Sequence, residues 1–464
     1  MDHEVFGRSW TAAWAEEIRA SDAYRKAARR WKWPLLLVLR ADPVRGLTSD
    51  RRVYLDLLAG SCREARPGSA EDAARADFVL SGDLATWTEI LHGTLDPFAA
   101  IVRRRLTLEK GSMATLAMHS AAAKALVRTA ARVDTAFPAG PGTMPTSADT
   151  AAAANVEERD QPQLRDAFVS TGPIGLRMDS PPMRLWRKAK RLGIWNPDDI
   201  DFSRDRKDWM QLDALERDVL LRLTGMFLAG EESVTVDLLP LMMVIAREGR
   251  LEEEMFLTTF LWEEAKHVDF FHTGFIRSIA PDAGDLSRYH THAYRRIFHQ
   301  ELPAAMGALL TDPSPAAQVR ASITYNMIVE GVLAETGYEA YFAALERNDL
   351  LPGLREGIAH LRRDEARHIA YGVFLLSRLI AEDGALWDVA EARMSELFPL
   401  ALEMIEQIFT AYDVMPFGLR LEDFAEIATT NFGRRMQRIE RARRKTLEEV
   451  YEVAEAAASA AEPA

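Results

Sequence analysis

Two stretches of this chain repeat one arrangement of acids and histidines, and that arrangement limits the fold more than any other feature. Glu264-Ala-Lys-His267 and Glu365-Ala-Arg-His368 each set a carboxylate three residues before an imidazole. On a helix, three residues span about 300°, so the two side chains stand one turn apart on nearly the same face. Each pair follows a lone glutamate in an apolar segment: Glu231 lies 33 positions before Glu264, and Glu330 lies 35 before Glu365. A carboxylate among apolar residues is costly unless it is paired or holds a metal. Two divalent ions close together need several anionic oxygens, some bridging, to offset their mutual repulsion. Each ion also takes one neutral imidazole.

One Glu-x-x-His means little by itself. With 10 histidines in the chain, about one such pair is expected by chance. A third pair, Glu89 and His92, has no matching half and reads as coincidence. The doubled set is far more specific. Four carboxylates and two histidines from four helices form the ligand pattern of dinuclear sites in ferritin-like bundles. Composition narrows the chemistry further. The single cysteine, Cys62, excludes thiolate metal cages and internal disulfides. The excess of 70 acids over 57 bases gives a net charge of −13, which argues against a nucleic-acid partner. The longest apolar runs, 33–39 and 238–246, fall short of the roughly 18 residues that span a bilayer. The first residues lack a basic segment followed by an apolar one, so the expected location is the cytoplasm.

The pattern divides the chain in two. Residues 136–163 are rich in Pro, Gly, Ala, Ser and Thr and read as a flexible linker. Residues 1–135 mix periods: helix over 10–31, strands at 33–40 and 52–58, a short strand at 77–81, and a helix over 83–92 capped by Asp83. A helix near 97–104, a strand at 105–109 and an Ala-rich helix over 120–133 follow, which makes an α+β domain. Residues 164–464 read as an all-α bundle. Helices are expected over 211–247, 252–279, 289–310, 315–346, 352–382, 385–412 and 421–458.

Four segments of the second unit resemble the R2-like ligand-binding oxidases, relatives of the small subunit of class I ribonucleotide reductase. They are Gly230-Glu-Glu-Ser-Val234, Trp262-Glu-Glu-Ala-Lys-His267, Tyr325 to Tyr338 and Arg363-Asp-Glu-Ala-Arg-His368. The resemblance implies a ferritin-like fold with a heterodinuclear Mn/Fe cofactor, or a di-iron one. Glu231, Glu264 and His267 match the site that holds manganese in the family. Glu330, Glu365 and His368 match the iron site. It also implies O₂ activation, a bound long-chain fatty acid, a homodimer, and an ether link between a valine and a tyrosine at the positions of Val234 and Tyr325. Tyr338 matches a further tyrosine near the metals. By geometry alone, Val234 follows Glu231 by one turn. Tyr325 lies five residues before Glu330, about 140° round an α-helix, and so points toward a neighbouring helix. Without the resemblance both read as bundle core. Asp269 and Asp364 are candidate hydrogen-bond partners of the ligand histidines, and Trp262 reads as core. His290, His292 and His299 read as a solvated face.

The first unit resembles the sterol-carrier-protein-2-like lipid-binding domains, through Val53 to Leu58, Ala76 to Trp87, Ile90 to Leu95 and Arg105 to Ser112. That resemblance implies a layered α/β fold around an apolar tunnel and no catalytic set. Arg103, Arg104 and Arg105 read as a solvated turn. Together the two resemblances predict a metal-dependent oxidase acting on a C–H bond of a lipid that the first unit delivers. Two alternatives stand beside it. One is a ribonucleotide reductase small subunit, although the tail after Tyr451 lacks aromatic anchors. The other is a lipid-binding metalloprotein that makes only its own crosslink.

Overall fold

The computed structural model describes residues 3–43, 47–137, 168–173 and 175–452. Contacts divide the chain into two compact units, 1–155 and 156–464. The expected linker from residue 138 onward lies outside the described residues, and the last expected helix, 421–458, breaks at 443–446 before its end passes outside them.

The first unit is a five-stranded sheet with helices. The strands β1 (His3–Glu4) and β7 (Thr135–Ala136) pair in parallel, so Ala136 still belongs to the folded unit. The main sheet has the order β4-β3-β2-β5-β6, built from β2 (Leu35–Leu39), β3 (Arg51–Leu58), β4 (Ser61–Pro67), β5 (Phe78–Gly82) and β6 (Leu106–Lys110). Within this sheet β2 and β5 pair in parallel and the other neighbours antiparallel. β2 and β5 are buried along their whole length, as central strands of a covered sheet are. The expected helix over 10–31 is two helices, α1 (Arg8–Ala20) and α2 (Asp22–Ala27), because Ser21 leaves the helix and caps the second by accepting from the Tyr24 amide. Then come α3 (Asp72–Arg75), α4 (Leu84–Leu91, capped by Asp83 as expected), α5 (Pro97–Val102), α6 (Met113–Met118) and α7 (Ser120–Ala130). Strand β4 and helix α6 escape sequence reading. β4 is a mostly exposed edge strand with few apolar residues, and α6 is too short to show a period.

The second unit is helical throughout. It opens with α8 (Pro181–Leu192) and α9 (Ser203–Gln211), two polar helices not anticipated from the sequence. The expected 211–247 helix is α10 (Ala214–Asp237) and α11 (Leu239–Arg247). An Asp213/Glu216 capping box starts the first, and Pro240 near the start of the second forces the break. α12 (Leu251–Asp269) runs into a π-helical segment, Phe270–Arg277. The region 289–310 contains α13 (His292–Arg296), a second π segment (Ile297–Glu301) and α14 (Leu302–Gly307). α15 (Pro315–Ser322) leads through a third π segment, Ile323–Ala334, into α16 (Glu335–Leu345). α17 (Pro352–Glu382), α18 (Leu386–Phe409) and α19 (Leu421–Ala442) complete the bundle. No helix among the described residues is long and apolar enough to cross a membrane.

Candidate dinuclear metal centre

The four helices bring all six expected ligands together. Glu231 comes from α10, Glu264 and His267 from α12, Glu330 from the third π segment, and Glu365 and His368 from α17. They form two overlapping groups: Glu231, Glu264, His267 and Glu365, and Glu264, Glu330, Glu365 and His368. Within each group the ligand atoms lie within 4.8 Å of one another. Glu264 and Glu365 belong to both, the position of bridging carboxylates. Nδ1 of His267 lies 3.4 Å from Glu231 and 3.4 Å from Glu365. Nδ1 of His368 lies 3.1 Å from Glu264.

Each imidazole is held from behind by an acid. Nε2 of His267 lies 3.3 Å from Asp364, and Nε2 of His368 lies 2.9 Å from Glu263. Glu263 was not singled out from the sequence. The visible signal was a doubled acid before each x-x-His: Glu263-Glu264 and Asp364-Glu365. Arg367 joins the two outer acids, at 2.5 Å from Glu263 and 2.6 Å from Asp364. Lys266 lies 3.0 Å from Asp364, and the Trp195 indole N–H donates to the same carboxylate at 2.9 Å. Asp269 takes no part: it is exposed and accepts from Thr273. Trp262 is half exposed rather than core, with Lys266 4.4 Å above its ring. His292 and His299 are exposed, as expected. Glu89 is bidentate with Arg105, so it forms no ligand pair with His92.

The charges separate into two sets. Outside, two acids (Glu263, Asp364) face two bases (Arg367, Lys266), all buried. Inside, four carboxylates have only two imidazoles. Burial pushes the Glu231 carboxyl up to about 8, against the pull of His267. Burial, then Glu365, raises Glu330 well above the usual carboxylate range. Burial would raise Glu264 too, but the nearby His267 and His368 imidazoles outweigh it and hold Glu264 at about 2. Burial disfavours the protonated imidazoles, yet the surrounding carboxylates hold both well above the ordinary range. Both oxygens of Glu264, one each of Glu330 and Glu365, and Nδ1 of His368 are buried without a hydrogen bond of good geometry. Such atoms are costly unless something binds them. Two divalent cations would balance four carboxylates and give these atoms partners, so the donor set fits a dinuclear metal cofactor.

Three further residues complete the inner shell. The Tyr338 hydroxyl donates to Glu231 at 3.4 Å. The Tyr325 hydroxyl donates to the Val234 carbonyl at 3.2 Å, and both residues are buried. Tyr325 therefore meets α10, as α-helical geometry suggested, but it also senses the carboxylates. Burial first, then Glu264 and Glu330, raises its phenol well above the usual range. The reason is the π segment. Its i→i+5 bonding brings residues five apart closer to one face than an α-helix would. Beside the carboxylates lies an apolar cavity. Glu231, Glu264, Glu330 and Glu365 close one part of it, and Leu333, Met404, Ile408, Phe409, Leu419 and Phe424 line much of the rest.

Residues 177–443 match the family described as ribonucleotide reductase, small chain. The chain belongs to this family. Residues 16–124 match the SCP-2 sterol transfer family, which accounts for the sheet-based first unit. Among solved structures, an R2-like ligand-binding oxidase with an aerobically reconstituted Mn/Fe cofactor is 37% identical at a TM-score of 0.57. The match covers 60% of this chain and 98% of that one. A valine-to-leucine variant of such an oxidase, with an anaerobically reconstituted Mn/Fe cofactor, is 38% identical at a TM-score of 0.56, over 59% and 98% of the two chains. The family relationship accounts for the ferritin-like bundle and the carboxylate–histidine set. In the first unit a second apolar cavity is lined by Trp14, Trp31, Leu37, Leu80, Trp87 and Leu126 among others.

Proposed function

We propose that this chain is an O₂-using oxidase with a dinuclear Mn/Fe site that acts on a long acyl chain. One observation carries the reading: the apolar cavity ends on the carboxylates of the dinuclear site. A long-chain fatty acid fits that shape, with its carboxylate toward the metals and its tail among Leu333, Phe409 and Phe424. Glu231, Glu264 and His267 would hold one ion and Glu330, Glu365 and His368 the other. The bound pair would supply redox equivalents for O₂ reduction. The protein's part is to orient and to exclude water. Asp364 and Glu263 fix the two imidazoles with Nδ1 inward. Tyr338 steadies Glu231, and the apolar walls keep solvent from the acyl chain.

Val234 and Tyr325 are the proposed crosslink pair. The Tyr325 hydroxyl, 3.2 Å from the Val234 backbone carbonyl, is within reach of that residue and supports it. An ether bond from the Val234 side chain to the Tyr325 oxygen removes one C–H and one O–H hydrogen, two electrons in all, and O₂ is the acceptor. Reconstitution with Mn(II), Fe(II) and O₂ followed by peptide mass spectrometry tests the link. Joined peptides lighter by two hydrogens support it, and unlinked peptides overturn it. Extraction of lipid after the same treatment tests the oxidase. An oxidised acyl chain supports turnover, whereas unchanged lipid favours the metalloprotein that only crosslinks itself.

The first unit, whose described residues run through β7 rather than ending at 135, would deliver the lipid across the linker that follows it. A tether of that kind raises the local cargo concentration to the order of millimolar. A homodimer in the cytoplasm completes the proposal, and sedimentation velocity reads the dimer directly. A ribonucleotide reductase small subunit is the second reading. The hydrogen-bonded chain His267–Asp364–Trp195 favours it, since a radical path needs such a connection. Nucleotide reduction with a large subunit would decide for it.

A further inference from the structure

A second cavity reaches the dinuclear centre, and more of its wall is polar than in the first, although Phe342 and Ile369 also line it. It lies between α16 and α17 and is lined by Glu335, Tyr338, Glu356, His360, Arg363 and Glu365, with Arg362 and the small residues Ala359 and Ala366 also on its wall. Glu356, Arg362 and Arg363 are exposed, while Tyr338 and Glu365 at the other end are buried. The cleft therefore runs from solvent to the ligand shell. Glu365 lines both cavities, and one of its oxygens is buried without a hydrogen-bond partner. Arg362 is paired with Glu339 at 2.8 Å, which offsets its charge, while Arg363 contacts the His360 ring at the exposed end.

We propose that this cleft is a polar entrance through which hydrated divalent metal ions reach Glu365 and load the dinuclear site. The inference rests on the dinuclear reading given above. An aqua ion entering through the apolar cavity would shed its water among leucines and phenylalanines, at the high cost of moving a charge into a low-dielectric space. In the cleft, the exposed Glu356 carboxylate offers oxygen donors at the outer end, and Glu365 receives the ion. Metal traffic then stays open while an acyl chain fills the other cavity.

Ala359 and Ala366 are exposed positions within α17, so larger side chains there narrow the cleft without entering the core. The test uses the full-length protein stripped of metal by chelation and mixed with Co(II) in a stopped-flow spectrometer. The double substitution A359F/A366F is expected to slow Co(II) uptake by tenfold or more while leaving two ions per chain at the end point. Ala366→Leu alone, a milder plug, is expected to slow it less. Met415→Trp, which narrows the apolar cavity, is expected to leave the uptake rate unchanged. Uptake by A359F/A366F at the parental rate overturns the entrance, and so does equal slowing by Met415→Trp. A parent protein that takes up no Co(II) overturns the dinuclear reading itself, and the entrance with it.

Discussion

Each ligand histidine is steadied by the acid that precedes the ligand glutamate of the other Glu-x-x-His turn. Glu263 serves only His368 and Arg367, whereas Asp364 is shared by His267, Lys266, Arg367 and Trp195. Glu263→Gln keeps the shape and removes the charge, so it should weaken the ion beside His368 by about 10–100-fold. The ion beside His267 should change less, and competition with a chromophoric chelator would resolve the two. Tyr325→Phe should leave two ions bound and abolish the linked peptide, while Tyr338→Phe should keep both. The six ligands were legible in the sequence because metal chemistry fixes residue type and spacing together. Glu263 was not, because an acid beside an acid has no spacing of its own. Its role depends on a helix more than a hundred residues away.

Elements pack here with little room to spare. Gly372 on α17 faces Asn326 in the third π segment, and a methyl group on it would overlap the asparagine side chain. Asn326 in turn donates to Glu330 at 3.0 Å. Gly372→Ala should therefore cost about 1–3 kcal/mol by overpacking. It should also disturb the Glu330 ion more than the Glu231 ion. Thermal melting and metal analysis of the same sample check both parts. The long helices were legible because Gly, Asp and Pro mark their joints and their apolar period is strong. α17, for example, spans the expected 352–382. The π segments were not legible. Ile323–Ala334 is mostly apolar and buried almost throughout, so it carries no clear period from which to count residues per turn.

At the scale of the molecule, the two units should answer different challenges. Metal removal should lower the melting temperature of the helical unit and leave the first unit unchanged. Ions at about 100 times their dissociation constant contribute roughly 2.7 kcal/mol per site, which calorimetry with and without chelator would detect. Acid should act on the first unit. Burial, then Arg30 and Lys32, pushes the His119 imidazole down to about 4. In the unfolded chain it titrates near the ordinary 6.5, so between these values only the unfolded chain takes the proton. Stability from this residue is complete above pH 6.5 and falls as the pH drops toward 4, by up to about 3 kcal/mol. Hydrogen exchange of residues 3–137 at pH 7 and 4.5 reads the change, and His119→Gln should flatten it.

The pairing of β1 with β7 carries one more consequence. His3 lies beside Thr135, so the two ends of the first unit meet in a single ribbon. The unit is thus topologically a closed ring with one seam. A short peptide could join 137 to 3, and new ends could be opened at the exposed turn after β3, giving a circular permutant that keeps its sheet order and its cavity.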